Sequence, residues 1–321
     1  MIATRLTEMF SLQHPIALAP MGGVSGGLLA AAVSNAGGLG MVGGGYGDAA
    51  WLRQELSRVN EATRQPWGVG LITWSADPAV LELILEHRPA AVMLSFGDPR
   101  PLGERIKAAG CRLICQVQDL EGARIARQAG ADLIVAQGTE AGGHGGLRAT
   151  LPLVPAVVDA VAPTPVLAAG GITDGRGLAA ALMLGAEGAL MGTRFYTSVE
   201  ALGHERIKAR VAAAHGDETL RTRVFDVVRG YEWPTGHTGR AVRNDFVVRW
   251  HGRESELQAA LQDERIRYQA AAGAGDTDTS VVWAGEGVDL IHGVEHAAEL
   301  VRRIAAQAEA ELQRGAASIA G

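Results

Sequence analysis

Lysine is nearly absent from this 321-residue chain: of its 29 basic side chains only Lys107 and Lys208 are lysines. With so few, there is no GxxxxGK[ST] phosphate loop and little choice for a Schiff-base or pyridoxal lysine. Lys107 lies in the amphipathic stretch "LGERIKAAG", where a solvated side chain is the natural reading. Cysteine is as scarce, with Cys111 and Cys115 alone, both in "CRLICQV". Four strand residues at about 3.3 Å each put these thiols roughly 13 Å apart, beyond the ~7 Å Cα separation that a disulfide spans. They read as buried thiols of a reducing compartment, so a cytoplasmic location is expected. No unbroken apolar stretch reaches the roughly 20 residues of a membrane span, and "MIATRLTEMFSLQHP" has no apolar core of a secretory signal. A net charge of −6 argues against nucleic acid or an anionic membrane as the main partner.

What the chain does have is 47% hydrophobic side chains and 43 glycines, arranged with a regular beat. Short apolar runs fall at 15–20, 39–44, 67–73, 91–96, 112–117, 132–138, 165–171 and 188–195. Helical patterns such as "GGLLAAAVSNAGG", "AAWLRQELSRV", "PAVLELILEH" and "GRGLAAALMLGA" separate them. Near-continuous apolar strands alternating with helices indicate a parallel sheet buried on both faces. Eight such units in about 200 residues predict an α/β fold of the (β/α)8 barrel type. The barrel is assigned to residues 1–198. A smaller, mainly helical cap follows at 199–275, and 276–321 form a return segment whose final helix, about 294–315, packs on the barrel.

In such a barrel the chemistry sits where strands end. The sixth strand runs into "AQGTEAGGHGG" (136–146), which sets His144 among glycines at the mouth. That histidine belongs either to a flexible loop or to a ligand site that the permissive backbone lets a flat molecule approach. Gln137 at the strand tip offers both a donor and an acceptor. The last two strands end in "AAGGITDGRG" and "MGTRF". Gly170, Gly171, Gly192 and Thr193 there can present bare N–H groups to a phosphate, a recurrent use of this fold, although tight packing is the other use of glycine. Asp174 is expected to cap the helix that follows. In the cap, Tyr231, Trp233, His237, Arg240 and Asn244 form either a packed turn or a substrate lid.

Two motif matches are rejected. "GLGMVG" (38–43) fits GxGxxG, yet it lies inside the second strand and no acidic residue follows at the end of another strand. "HGVEH" (292–296) fits a zinc pattern without a nearby third ligand, so no metal is expected.

Taken together, "PIALAPM", "AAAVSNAGGLG", "AQGTEAGGHGG", "AAGGITDGRG", "MGTRF" and "GDTDTSVVWAG" are similar to the nitronate monooxygenase family, formerly 2-nitropropane dioxygenases, FMN-dependent barrels with a helical cap. The resemblance spans almost the whole chain. It implies FMN across the barrel mouth, contacted by Pro20, Met21, Gly22, Gln116, Gln137, Gly142, Gly143, Gly170, Gly171, Met191, Gly192 and Thr193, with the phosphate on the last two glycine loops. It also implies that His144 is the active-site histidine and that the glycines beside it make room for the flavin ring. The implied reaction is oxidation of an alkyl nitronate by O2 to a carbonyl compound. His144 would either bind the nitronate oxygens or remove the α-proton of a neutral nitroalkane, the binding role being preferred because nitronate is what the family oxidises most generally. The chain departs from the family at Gly70, commonly asparagine, and at Gln116, a lysine in related NADH:quinone reductases. Two other functions stay open: an NAD(P)H-dependent flavin reductase of quinones or enoyl thioesters, and a flavin-free isomerase or synthase of phosphate ligands. The oligomeric state is left open.

Overall fold

The computed structural model describes residues 2–320. All eight predicted strands form within the predicted ranges. They are β1 (Ile16–Leu18), β2 (Gly40–Gly43), β3 (Trp67–Ile72), β4 (Ala91–Ser95), β5 (Arg112–Val117) and β6 (Leu133–Gln137), then β8 (Val166–Ala169) and β9 (Ala189–Met191). Between β6 and β8 the chain makes one further short strand, β7 (Gly143–Gly145). The parallel order β1-β9-β8-β6-β5-β4-β3-β2 turns back on itself. Leu18 N–H donates to the Leu39 carbonyl and Leu39 N–H to the Ile16 carbonyl, both at 2.9 Å, which joins β1 to the start of β2 and makes the sheet a barrel. Helices cover its outer face, so strands such as β2 and β6 are buried at every position.

Aspartates set where several of these helices begin. Asp48, Asp77, Asp119 and Asp174 each accept backbone N–H bonds from the first turn that follows, satisfying donors that a helix start leaves unpaired. Asp174 thus does what the sequence predicts of it. The rejected "GLGMVG" lies on β2, where the lack of a side chain at Gly40 serves helix packing: a Cβ there would sit 1.9 Å from the Ala30 carbonyl oxygen.

The final helix, Ala297–Ala320, lays Leu300, Val301, Ile304 and Ala308 into the barrel core. A second core lies in the cap, around Phe225, Val228, Phe246, Trp250 and Tyr268. Ile207 and Val211, in the first helix past the barrel, pack into the barrel core. Trp283 of the return segment packs against both cores.

The cap contains a sheet that the helical pattern does not announce. β10 (Thr219–Thr222) pairs antiparallel with β11 (Thr238–Val242), and β11 pairs with β7, the Gly-His-Gly triplet from the barrel. His144 therefore sits in a strand, opposite Gly239. In "HGVEH" Glu295 pairs with Arg194 and Arg303 while His296 bonds Glu200, and no metal-binding cluster exists among the described residues. No helix among them is long and apolar enough to cross a membrane.

Candidate active site at the barrel mouth

A cavity of about 510 Å3 opens at the strand ends beneath the cap, within the ~300–1,000 Å3 of small-molecule and cofactor sites. Pro20, Met21, Gly22, Gln116, Gln137, Gly142, Gly143, His144, Gly170, Gly171, Gly192 and Thr193 all line it. Met191 does not: its side chain is buried in the core, and its carbonyl accepts the Ala19 N–H at 2.9 Å.

The glycines here differ in what requires them. Gly170 and Gly171 have φ of 102° and 72°, a region that side chains disfavour, so their backbone alone demands glycine. Gly192 has φ −107°, and a Cβ there would meet Ala19 and Met21 only at 3.4 and 3.5 Å, ordinary contact. Neither conformation nor packing fixes that residue, so it is the best candidate for close approach by a ligand. Beside His144, a Cβ at Gly142 would strike the Ala284–Gly285 backbone at 2.7 Å, whereas at Gly143 it would meet nothing within 4 Å. Gly142 thus makes room for the return segment, whereas Gly143 has free space beside it but is required by its φ of 72°. At Gly70, where family members commonly carry asparagine, a Cβ would stand 2.2 Å from the Pro20 ring.

Several contacts hold His144. Its carbonyl accepts from Gln137 Nε2 at 3.0 Å. Gln137 Oε1 in turn accepts from Gln116 (3.2 Å) and Gln118 (3.0 Å), so its oxygen is fully engaged with protein partners and its NH2 group keeps one hydrogen beyond that given to His144. The imidazole stacks on the Trp233 indole with centroids 3.6 Å apart and 5° between planes, and Trp283 leans on it at 5.1 Å. His144 Nε2 lies 2.8 Å from Asp226 Oδ1. A carboxylate accepts, so Nε2 carries the hydrogen and Nδ1 is left with a lone pair. Burial lowers the His144 pKa; the hydrogen bond and charge of Asp226 pull it upward, and Arg229 and Arg221 push it down. At neutral pH the ring is an uncharged acceptor.

The facing wall is aromatic. Trp233 Nε1 donates to the Tyr46 hydroxyl at 3.0 Å, and Tyr46 stacks on Tyr231 at 3.9 Å. Burial pushes the Tyr46 phenol up to about 12, so it stays neutral. Phe96 meets Trp233 edge-on at 5.0 Å. Arg229 also lines the cavity, its guanidinium 4.8 Å from the Tyr231 ring. Of the cap residues singled out in the sequence, Tyr231 and Trp233 reach the cavity. Arg240 is committed to the Thr139 carbonyl and Glu286, and Asn244 caps the helix Asp245–Trp250. His237 packs edge-on against Phe96.

Sequence reasoning misses Asp226, Arg229, Tyr46 and Phe96. Asp226 lies 82 residues from His144 and Tyr46 lies 187 from Trp233, with no local pattern marking either pair.

Known proteins resemble this chain in sequence and in fold. The family model described as nitronate monooxygenase matches residues 3–81 and 74–307. A probable nitronate monooxygenase of Staphylococcus saprophyticus is 30% identical over 98% of this chain and 99% of its own. One of Staphylococcus aureus is 32% identical over 88% of this chain and 91% of its own. Among solved structures, FabK of Thermotoga maritima superposes with a TM-score of 0.89 at 31% identity, covering 99% of this chain and all of that one. The nitroalkane oxidase of Streptomyces ansochromogenes does so with 0.84 at 30% identity, covering 97% and 99%. With a family match across the barrel, cap and return segment, and with relatives of like length, the chain belongs to the nitronate monooxygenase family of oxidoreductases.

Proposed function

We propose that the chain binds FMN across the barrel mouth and oxidises alkyl nitronates with O2 to carbonyl compounds. The observation that carries this reading is the cavity itself, which joins a glycine wall at Gly170, Gly171 and Gly192 to a fixed imidazole at His144. Main-chain N–H groups at Gly192 and Thr193 suit a phosphate, because no side chain at 192 intervenes. The mouth offers no dinucleotide fold for an adenylate, which favours FMN over FAD. When bound, FMN supplies the electron relay between nitronate and O2.

The chain's own residues divide the remaining work. Arg229 is the cation on the cavity wall and attracts the anionic nitronate. His144, with Nε2 bound to Asp226, offers Nδ1 as an acceptor. An acceptor repels nitronate oxygens, so the geometry favours proton removal over the anion-binding role that the resemblance suggests. Trp233, Tyr46 and Phe96 exclude water and set an apolar surface against the alkyl group. Heat release of the bound pigment, followed by chromatography, is the test. About one FMN per chain is the expected result, and FAD, or no flavin, contradicts it.

A further inference from the structure

Asp226 is 2% exposed, yet only one of its carboxylate oxygens has a partner. Oδ1 takes the His144 hydrogen at 2.8 Å, while Oδ2 is buried with no hydrogen bond. A buried carboxylate left half-unpaired is expensive to maintain, since such groups are normally satisfied at both oxygens. Its one partner is the ring of His144, which lines the cavity, so its charge is directed at that ring. The remaining charged groups that act on the imidazole are Arg229, on the same short helix Val224–Arg229, and Arg221, on β10. Both are cations that oppose a further positive charge, which leaves Asp226 as the charged group that favours the protonated ring.

We infer that Asp226 is the positioning residue for the proton removal proposed for His144: it holds the ring through Nε2, which leaves Nδ1 as the base, and its charge stabilises the imidazolium that forms. The inference rests on the proposed role of His144 as a base and adds the residue that positions it. In the step, the α C–H bond breaks, the proton forms an N–H bond at Nδ1, and the electron pair moves onto the nitro group to give the nitronate. The imidazolium so formed keeps its Nε2–H on Asp226, whose charge offsets it. No oxidant is needed. Stacking on Trp233 and the β7–β11 pairing hold the ring so that Nδ1 cannot rotate away.

The test separates proton transfer from oxidation. Under nitrogen, the flavin-loaded protein is incubated with nitroethane in heavy water, and exchange of the α-hydrogens is followed by proton NMR. Aerobic oxidation of preformed ethyl nitronate is measured on the same samples, and the His144 imidazole is titrated by NMR. Asp226→Asn keeps the shape and removes the charge. It is expected to lower exchange by about 10²–10⁴-fold, the usual size of general-base help. Nitronate oxidation is expected to fall far less, and the His144 titration to move to lower pH. Asp226→Glu, which restores the charge, is expected to recover part of the exchange. Unchanged exchange in Asp226→Asn overturns the inference. An equal fall in exchange and nitronate oxidation does so too, because it marks a structural role. If the wild-type protein oxidises no nitronate, the proposed function fails, and the imidazole titration alone then judges the pair: an unmoved His144 overturns it.

Discussion

On the β8–β9 side of the cavity the chain shows a ligand mainly backbone, at Gly170, Gly171 and Gly192, whereas the cap side shows rings, at Tyr46, Tyr231, Trp233 and Trp283. The glycine wall hangs directly from strands buried in the barrel, so one or two local segments build it. The aromatic wall is assembled from barrel loop, cap and return segment, each ring supported by another. A backbone wall has little slack: a side chain at Gly192 would project where a ligand is proposed to approach. One at Gly170 or Gly171 meets an unfavourable φ and, at Gly170, the Gly138 carbonyl at 2.9 Å. A wall of stacked rings shares its load, so losing one contact shifts others. Changes on the first side are therefore expected to be close to all-or-none, and on the second side graded.

The sharpest way to break that contrast is to compare two glycines. At Gly192 the backbone tolerates a side chain, so Gly192→Val is expected to fold and to lose nearly all of its flavin. At Gly40 a Cβ would overlap the Ala30 carbonyl at 1.9 Å, so Gly40→Ala is expected to lose about 3 kcal/mol of stability or more. Thermal melts with flavin absorbance distinguish the two. Normal flavin in Gly192→Val would remove the phosphate from that loop.

Next in size is His144, which stacks within the aromatic wall. His144→Ala is expected to lose about 10²–10⁴-fold in turnover of neutral nitroalkane, with a smaller loss on preformed nitronate. It also strands the Asp226 carboxylate without its donor, a loss of about 1–3 kcal/mol in a chemical melt. A pH effect accompanies it. Since the folded His144 pKa lies below its ordinary 6.5, the unfolded chain takes up a proton first as the pH falls. Its contribution to stability is complete above about 6.5 and declines as the pH drops through the folded value, a slope absent from the variant. Equal rates on both substrate forms in the variant would take the imidazole out of the reaction.

The barrel was legible because its signals are local. An apolar run followed by a helix repeats around the barrel, four of the helices starting at an aspartate cap, and each strand forms inside the span its own residues mark. The mouth glycines were legible for the same reason, since strand ends are where a barrel keeps its site. The two cap strands were not: "TLRT" is polar at alternate positions, and β11 owes its place to pairing with a triplet nearly a hundred residues earlier. His144 reads in sequence as a free side chain on a glycine loop, yet the fold stacks it, buries it and gives it a carboxylate. Sequence also cannot tell a glycine required by its backbone conformation from one that makes room for another segment. Gly143, with φ 72°, and its neighbour Gly142, against the Ala284–Gly285 backbone, are one of each.

The smallest expected effect tests the graded wall. Tyr46→Phe keeps the stack on Tyr231 and removes only the oxygen that accepts the Trp233 Nε1–H. The expected loss is about 1 kcal/mol, read from denaturant midpoints, with flavin binding unchanged. Loss of flavin from this variant would mean that the rings, as well as the glycines, hold the cofactor.

The central claim is that a flavin at this mouth takes electrons from nitronates, and anaerobic mixing tests it most directly. The purified, coloured protein is combined without oxygen with ethyl nitronate in one cell and with NADH in another. The account predicts rapid bleaching by nitronate, recovery of colour when air is admitted with release of the carbonyl product, and little change with NADH over the same time. Bleaching by NADH alone, with nitronate leaving the colour intact, would contradict it.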